Sequence, residues 1–333
     1  VDGPGRRPES TLVGASMTTM TTSHRSSGGR RRQLALPECR VAWIGIATGN
    51  VGSQIVQFVR DDIEIAYHAV GDAESDVIVL LHGLGSARST WGPLVFSLAR
   101  RHRVVVVDFR GHGESFHAPG SYTLEYFVPD TIALCESLTT KPVVMVGHSL
   151  GGVVAHTIAH VRPDLVRALL LEDPPLYRRE GTPDENPVVT FFALLRQVTT
   201  EMQARHASLV EYEAVLHVAS SPNGAGSFAD VLGVEGTRAR ARGLASLDPD
   251  VFLPALDGTG LAGAQPDATL PCPVRLLRAD PTLGKGLTDE NEARFRSSNP
   301  HAEVEMVHGA SHFIHDEQPE RFLLELHRLF DTL

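Results

Sequence analysis

A serine set in Gly147-His148-Ser149-Leu150-Gly151 is the residue best placed to do chemistry in this chain. Val143-Val-Met-Val146 precedes it and reads as a short buried strand, and Val153-Val-Ala-His-Thr-Ile-Ala-His160 reads as the helix that follows. A strand that turns at once into a helix forces the residue at the turn into a strained backbone conformation. Any side chain beside it would clash, which accounts for the flanking glycines. The turn also lifts the Ser149 hydroxyl out of the sheet and sets it at the positive end of a helix. The chemistry implied is nucleophilic attack by a hydroxyl that a neighbouring base activates. Glycine and serine are common, so the bare pattern is weak; the apolar strand and helix around it make it specific.

The elements that must position this serine come from a chain of 333 residues, 42% of them apolar, enough for one large or two ordinary domains with a real core. The net charge of -10 argues against a nucleic-acid or anionic-membrane partner, since both select for basic surfaces. Cys39, Cys135 and Cys272 are odd in number and widely spaced. That pattern fits a reducing, cytoplasmic compartment and no structural metal site. No apolar run is long enough to suggest a transmembrane helix. Residues 1–53 are rich in Gly, Pro, Ser, Thr and Arg and read as a disordered extension. Within them, Arg31-Arg32 resembles a twin-arginine export signal, but Glu38 and Arg40 interrupt the apolar stretch it needs. The glycine-rich stretch 45–52 resembles a dinucleotide-binding turn, with Ala47 standing at its first glycine and no matching acidic residue downstream.

From Ile63 onward, short apolar runs alternate with helical patterns, which signals an α/β chain with a mostly parallel sheet. Residues 63–69 alternate as an antiparallel strand does. Residues 77–81, 104–107, 167–172, 274–278 and 304–307 read as buried strands, and residues 91–100 and 124–138 as helices. Three ordered motifs stand on this frame: His82-Gly83-Leu84-Gly85, Asp108-Phe-Arg-Gly-His-Gly-Glu-Ser115, and the Ser149 turn. With these motifs the chain resembles the α/β-hydrolase-fold serine hydrolases from about Ile55 to Leu333. The resemblance implies a central sheet flanked by helices, with a helical cap inserted after the sixth strand. The expected division is core over 54–175, cap over 176–270 and core again over 271–333.

The resemblance also implies the rest of the machinery. Backbone N–H groups of Leu84 and Leu150 would form the oxyanion hole, each worth about 10²–10³ in rate. The Asp108–Ser115 segment matches the family's structural turn and is assigned no chemistry. The base falls on His312, in the Gly-x-x-His loop after the last strand, with His308 and His315 as neighbours that resemble it. His148, inside the turn, reads as a packing or supporting residue. The acid has two placements. Most of the family carries it after the strand 274–278, where Ala279 and Thr282 occupy the motif's glycine and acid positions and Asp280 is the nearest carboxylate. Other members carry it at the end of the strand after the elbow helix, which lands on Asp173, and Asp173 is preferred to Asp280. Strand alternation further implies that only one of Glu172 and Asp173 points inward.

Between Asp173 and Pro271 the strand pattern stops, and residues 187–206 and 209–219 have helical apolar spacing. Phe191, Phe192, Leu195 and Tyr212 are the expected substrate-binding residues, together with Met202, Leu216 and Phe252. The function expected is cofactor-free and metal-free hydrolysis of a small to medium, partly apolar carboxylic ester or lactone, by an acyl-enzyme on Ser149. A homodimer stays open. The alternatives are carbon–carbon bond hydrolysis of a diketone-type ring-cleavage product, and a ligand-binding homologue with little turnover.

Overall fold

Strand and helix alternate in the computed structural model as the apolar runs imply. It describes residues 54–60, 63–177, 187–221, 226–283 and 287–333. The expectations for residues 1–53, including stretch 45–52, Arg31-Arg32 and Cys39, lie outside those residues. The elements are β1 (Gln54–Arg60), β2 (Ile63–Val70), β3 (Val77–Leu81), α1 (Gly92–Leu98), β4 (Arg103–Val107), α2 (Leu124–Leu138), β5 (Val143–His148), α3 (Leu150–Val161) and β6 (Val166–Glu172). The chain continues through α4 (Pro187–Ala204), α5 (Leu209–Val218), α6 (Phe228–Ser246) and α7 (Leu253–Leu256), then returns to β7 (Val274–Ala279). It ends with α8 (Asp289–Ser298), β8 (Glu303–Val307), α9 (Ile314–Glu317) and α10 (Pro319–Phe330).

One sheet of eight strands runs in the order β1-β2-β4-β3-β5-β6-β7-β8. β1 pairs with β2, and β2 with β4, antiparallel; every pairing from β4 to β8 is parallel. Parallel strands are buried on both faces, so β3 and β5 read as unbroken apolar runs rather than alternating ones. Alternate residues serve two cores. Val79, Leu81, Met145 and Leu171 join the layer with α2, α3 and the helices after β6, whereas Ile78, Leu80, Val146 and Leu170 join the layer with α1 and α10. On α10 the buried residues Phe322, Leu326 and Leu329 fall at helical spacing and lay that helix on the sheet. Helices α4 to α7 lie in sequence between β6 and β7, the place where a cap is expected, and the nucleophile turn follows β5, a central strand of the sheet.

Candidate active site

Ser149 stands between β5 and α3 with φ 52° and ψ -115°, a conformation that ordinary residues avoid. The glycines are required by space. A Cβ on Gly147 would lie 2.3 Å from the Gly151 carbonyl oxygen, and one on Gly151 would lie 2.1 Å from that of Leu81. Two neighbouring strand ends hold the turn: the Ser149 N–H donates to the Glu172 carbonyl at 2.9 Å, and the Gly151 N–H to the His82 carbonyl at 3.1 Å. Ser149 is partly exposed between buried His148 and Leu150. Leu150 opens α3, so its N–H belongs to the first turn, which has no carbonyl partner within the helix.

Leu84 sits in the loop after β3, in a turn closed by the Ser86 N–H on the Gly83 carbonyl at 3.2 Å, with Gly85 at φ +72°. Two buried histidines brace this loop. His82 donates from Nδ1 to the Gly83 carbonyl at 2.8 Å and accepts the Phe109 N–H on Nε2 at 3.1 Å. His112 donates from Nδ1 to the Arg110 carbonyl at 3.0 Å and accepts the Gly85 N–H on Nε2 at 3.3 Å. Each ring must be neutral to accept on Nε2, and burial enforces this by pushing the pKa of His82 down to about 4 and that of His112 to about 3. The Asp108–Ser115 segment is therefore a bracket for the Leu84 loop. Its own anchors are the Arg88 and Glu114 N–H groups on the Asp108 carboxylate, and the two-pronged Arg110–Asp130 pair at 2.6 and 2.8 Å.

His312 and Asp173 are joined directly: Nδ1–H of His312 donates to Asp173 Oδ2 at 2.6 Å. The other carboxylate oxygen, Oδ1, accepts the backbone N–H groups of Ala279 and Leu287, both at 3.3 Å. His148 supports the base, donating from Nε2 to the His312 carbonyl at 2.9 Å with ring centroids 4.7 Å apart. Since His148 directly precedes Ser149, this bond ties the nucleophile turn to the histidine loop. Burial, helped by the nearby His312 and His315, keeps the His148 pKa well below the usual histidine value, so it holds as a neutral donor.

Asp280 is engaged elsewhere. Its Oδ2 accepts the Gly309 N–H at 3.0 Å, and its Oδ1 accepts the Thr282 N–H at 3.0 Å and hydroxyl at 2.6 Å. Those bonds pull its pKa down to about 2, the Gly309 N–H contributing most. Exposed His308 lies 3.8 Å from it. Asp280 thus pins the loop after β7 to the loop after β8.

The expectation that only one of Glu172 and Asp173 turns inward does not hold. Both are fully buried, and Glu172 takes His315 Nδ1–H at 2.7 and 2.9 Å on its two oxygens. Asp173 leaves the strand with φ 41°, so strand alternation stops applying at that residue. The signal for this second pair was an acidic doublet at a strand end facing two histidines three residues apart.

Over the site, the expected cap residues Phe191 and Phe192 contact each other at 5.5 Å, and Phe192 stacks on Phe252 at 5.7 Å. Phe191 meets Phe228 at 6.1 Å, Phe228 meets Phe313 at 6.1 Å, and Phe313 meets the His312 ring at 5.5 Å. Leu195 lies near Gly85, beside the Leu84 turn. Tyr212 is buried on α5, and among the described residues the aromatic contacts reach His312 through Phe228 and Phe313 instead. No cluster of three His, Cys, Asp or Glu side chains that could hold a metal occurs among the described residues. Within them, no helix is long and apolar enough to cross a membrane.

Comparison with known proteins agrees with this architecture. The chain is 28% identical over 255 residues to the sn-1-specific diacylglycerol lipase ABHD11 of Mus musculus, covering 76% of this chain and 80% of the relative. It is 33% identical over 144 residues to the bifunctional esterase/perhydrolase DCH of Acinetobacter calcoaceticus, 42% of this chain and 52% of that one. The crystal structure of the enol-lactonase from Burkholderia xenovorans LB400 superposes with a TM-score of 0.65 at 20% identity, covering 83% of this chain and 99% of the other. The sequence profile of the alpha/beta hydrolase family matches residues 78–325, and the chain is a hydrolase-fold protein that belongs to that family.

Proposed function

We propose that the protein is a serine hydrolase that cleaves a small to medium, partly apolar carboxylic ester or lactone. The observation that carries this reading is the 2.6 Å bond from His312 Nδ1–H to buried Asp173, tied through His148 to the strained Ser149 turn. Asp173 fixes the imidazole tautomer, which leaves Nε2 as the base. Ser149 attacks the acyl carbon while His312 takes its proton. The tetrahedral oxyanion is held by the N–H groups of Leu84 and Leu150. His312 then returns the proton to the leaving oxygen, and water releases the acyl group by the same path reversed. These steps use only side chains and backbone of this chain and call for no cofactor.

The phenylalanines above His312 favour an apolar substituent on the acyl or alcohol side. The esterase and lipase names among the relatives, and the lactonase among the similar structures, support the ester and lactone classes. Buried free thiols at Cys135 and Cys272 fit the reducing compartment of a cytoplasmic enzyme. The test is turnover of p-nitrophenyl acetate and butyrate together with fluorophosphonate labelling. Wild type should label and turn over, and Ser149→Ala should do neither. A wild type that neither labels nor hydrolyses these esters would sink the reading.

A further inference from the structure

Four charged side chains lie buried behind His312 and take no part in the steps above. His315, 1% exposed, sits between Glu172, at 2.7 Å from Nδ1, and Asp316 Oδ2, at 3.6 Å from Nε2. Asp316 Oδ2 also lies 3.9 Å from Nη2 of Arg240, a residue of cap helix α6 that is 7% exposed. Among the described residues, His315 Nε2, Asp316 Oδ2, and Arg240 Nε and Nη2 have no direct hydrogen-bond partner. Asp316 Oδ2 thus lies between His315 Nε2 and Arg240 Nη2 in the sequence of contacts, at 3.6 and 3.9 Å. Burial opposes charge on His315, but Glu172 and Asp316 outweigh it and raise its pKa above the usual histidine value. The group therefore sets two acidic side chains, Glu172 and Asp316, against two basic ones, His315 and Arg240.

Arg240 does not face the cluster alone. Its guanidinium lies 4.4 Å over the ring of Phe313, the residue after His312. Trp91 stacks on His315 at 4.2 Å. His82 and His148 also feel the Arg240 charge, and burial holds both neutral. Glu317, next to Asp316, is bound to the Ser311 N–H and hydroxyl. The same helix α6 touches the other half of the site, since the Ser89 hydroxyl donates to the Ala239 carbonyl at 3.2 Å and Gly243 packs on Ser86.

We propose that Arg240 is a positioning residue: from the cap it closes a buried charge chain, Asp316–His315–Glu172, that keeps the His312 turn seated against Asp173. This rests on the serine-hydrolase reading for its catalytic consequence. The chain parallels the catalytic pair, because Glu172 and Asp173 are consecutive and His312 and His315 belong to one turn. It makes the alignment of the base depend on α6 being docked. A ligand anion is a poor occupant for Arg240, since Asp316 and Glu172 already face it.

The experiment compares Arg240→Gln, Arg240→Lys, Asp316→Asn and the Arg240→Gln/Asp316→Asn double variant. Two readouts are used: the acid limb of kcat/KM for p-nitrophenyl butyrate, and the downfield NMR proton of the His312–Asp173 bond. Removing the Arg240 cation leaves a net negative charge near His312. The acid limb should then move up by about 0.5–1 pH unit, and kcat should fall about tenfold with KM changed less than about twofold. Asp316→Asn should move the limb down, the double variant should return it toward wild type, and Arg240→Lys should restore both readouts. Opposite signs and their cancellation are not what a packing defect produces. Folded Arg240→Gln with an unchanged limb and resonance would overturn the proposal, as would shifts of one sign in both single variants. Should Arg240→Gln fail to fold, Arg240→Lys and Asp316→Asn decide by the same criteria. The resonance does not depend on turnover, so it judges Arg240 even if wild type fails to label at Ser149.

Discussion

Two acid–histidine pairs are built from the same two segments, and they differ in one respect that decides their use. In Asp173–His312 the histidine side chain is 29% exposed, and in Glu172–His315 it is 1% exposed; both acids are fully buried. His312 has one nitrogen on the acid and the other free to exchange a proton with whatever enters the site. His315 has a carboxylate toward each nitrogen, Glu172 and then Asp316, and these raise its pKa above the usual histidine value. An acid beside an imidazole is therefore not enough to make a base. The second nitrogen must face a reactant and not another carboxylate.

The largest effect that would test this contrast is loss of the Asp173 charge. In Asp173→Asn the side-chain oxygen stays with the two N–H donors of Ala279 and Leu287, because an amide nitrogen there would oppose them. The amide NH2 then faces His312 and stabilises the wrong tautomer. Ester turnover is expected to fall about 10⁴-fold with the fold intact. A loss below about tenfold in steady-state kinetics would show that another group orients the base. Glu172→Ala should reverse the profile. It strips buried His315 of the acid paired with it, which costs about 3–5 kcal/mol in stability if the pair is ionic, measurable by urea unfolding. Stability unchanged in Glu172→Ala would mean that His315 is not held as a cation.

What was legible in the sequence follows from how local each requirement is. The buried strands and the Ser149 turn announce themselves because apolar runs and flanking glycines are needed whatever surrounds them. Asp173 could be placed only by resemblance, as its role depends on His312, which is distant in the chain. Helix α6 escaped notice. Its glycines and its alternating Arg-Ala run from Arg238 to Arg242 blur the apolar spacing, and Gly233 kinks it at φ 67°. The capping box of Ser227 and Asp230 was the available signal. His112 could be read only as part of a structural turn and Arg240 not at all, since their worth lies in partners supplied by other segments.

A smaller effect separates neutral buried histidines from the charged one as pH changes. Burial lowers the pKa of His82 and His156 to about 4 and of His112 to about 3. The unfolded chain takes up protons at these sites below about pH 6.5 while the folded chain does not, so each costs about 1.4 kcal/mol per pH unit as pH falls toward its folded value. His315 has the opposite sign, as its raised pKa contributes fully below about pH 6.5 and is lost as pH rises through the folded value. His148, also held well below the usual value by burial, adds a fourth such site, and four sites against one make acid destabilisation dominate. Urea unfolding from pH 7 to pH 4.5 should show stability falling ever more steeply, and a flat profile from pH 7 to 5 would contradict the neutral braces.

The smallest effect bears on the rival acid. Asp280→Asn keeps an oxygen for the Gly309 or Thr282 N–H but loses the charge that several donors favour. Because the folded pKa lies near 2, below its usual value, the stabilising contribution is present above about pH 4 and disappears as pH falls through 2. The variant should therefore melt slightly earlier than wild type at pH 7 and together with it near pH 2. Turnover should stay within about threefold of wild type, since no bond from Asp280 reaches His312 among the described residues. A loss approaching that of Asp173→Asn would move the acid to the loop after β7. The Asp173–His312 contact would then have to be read as support, as Glu172–His315 is.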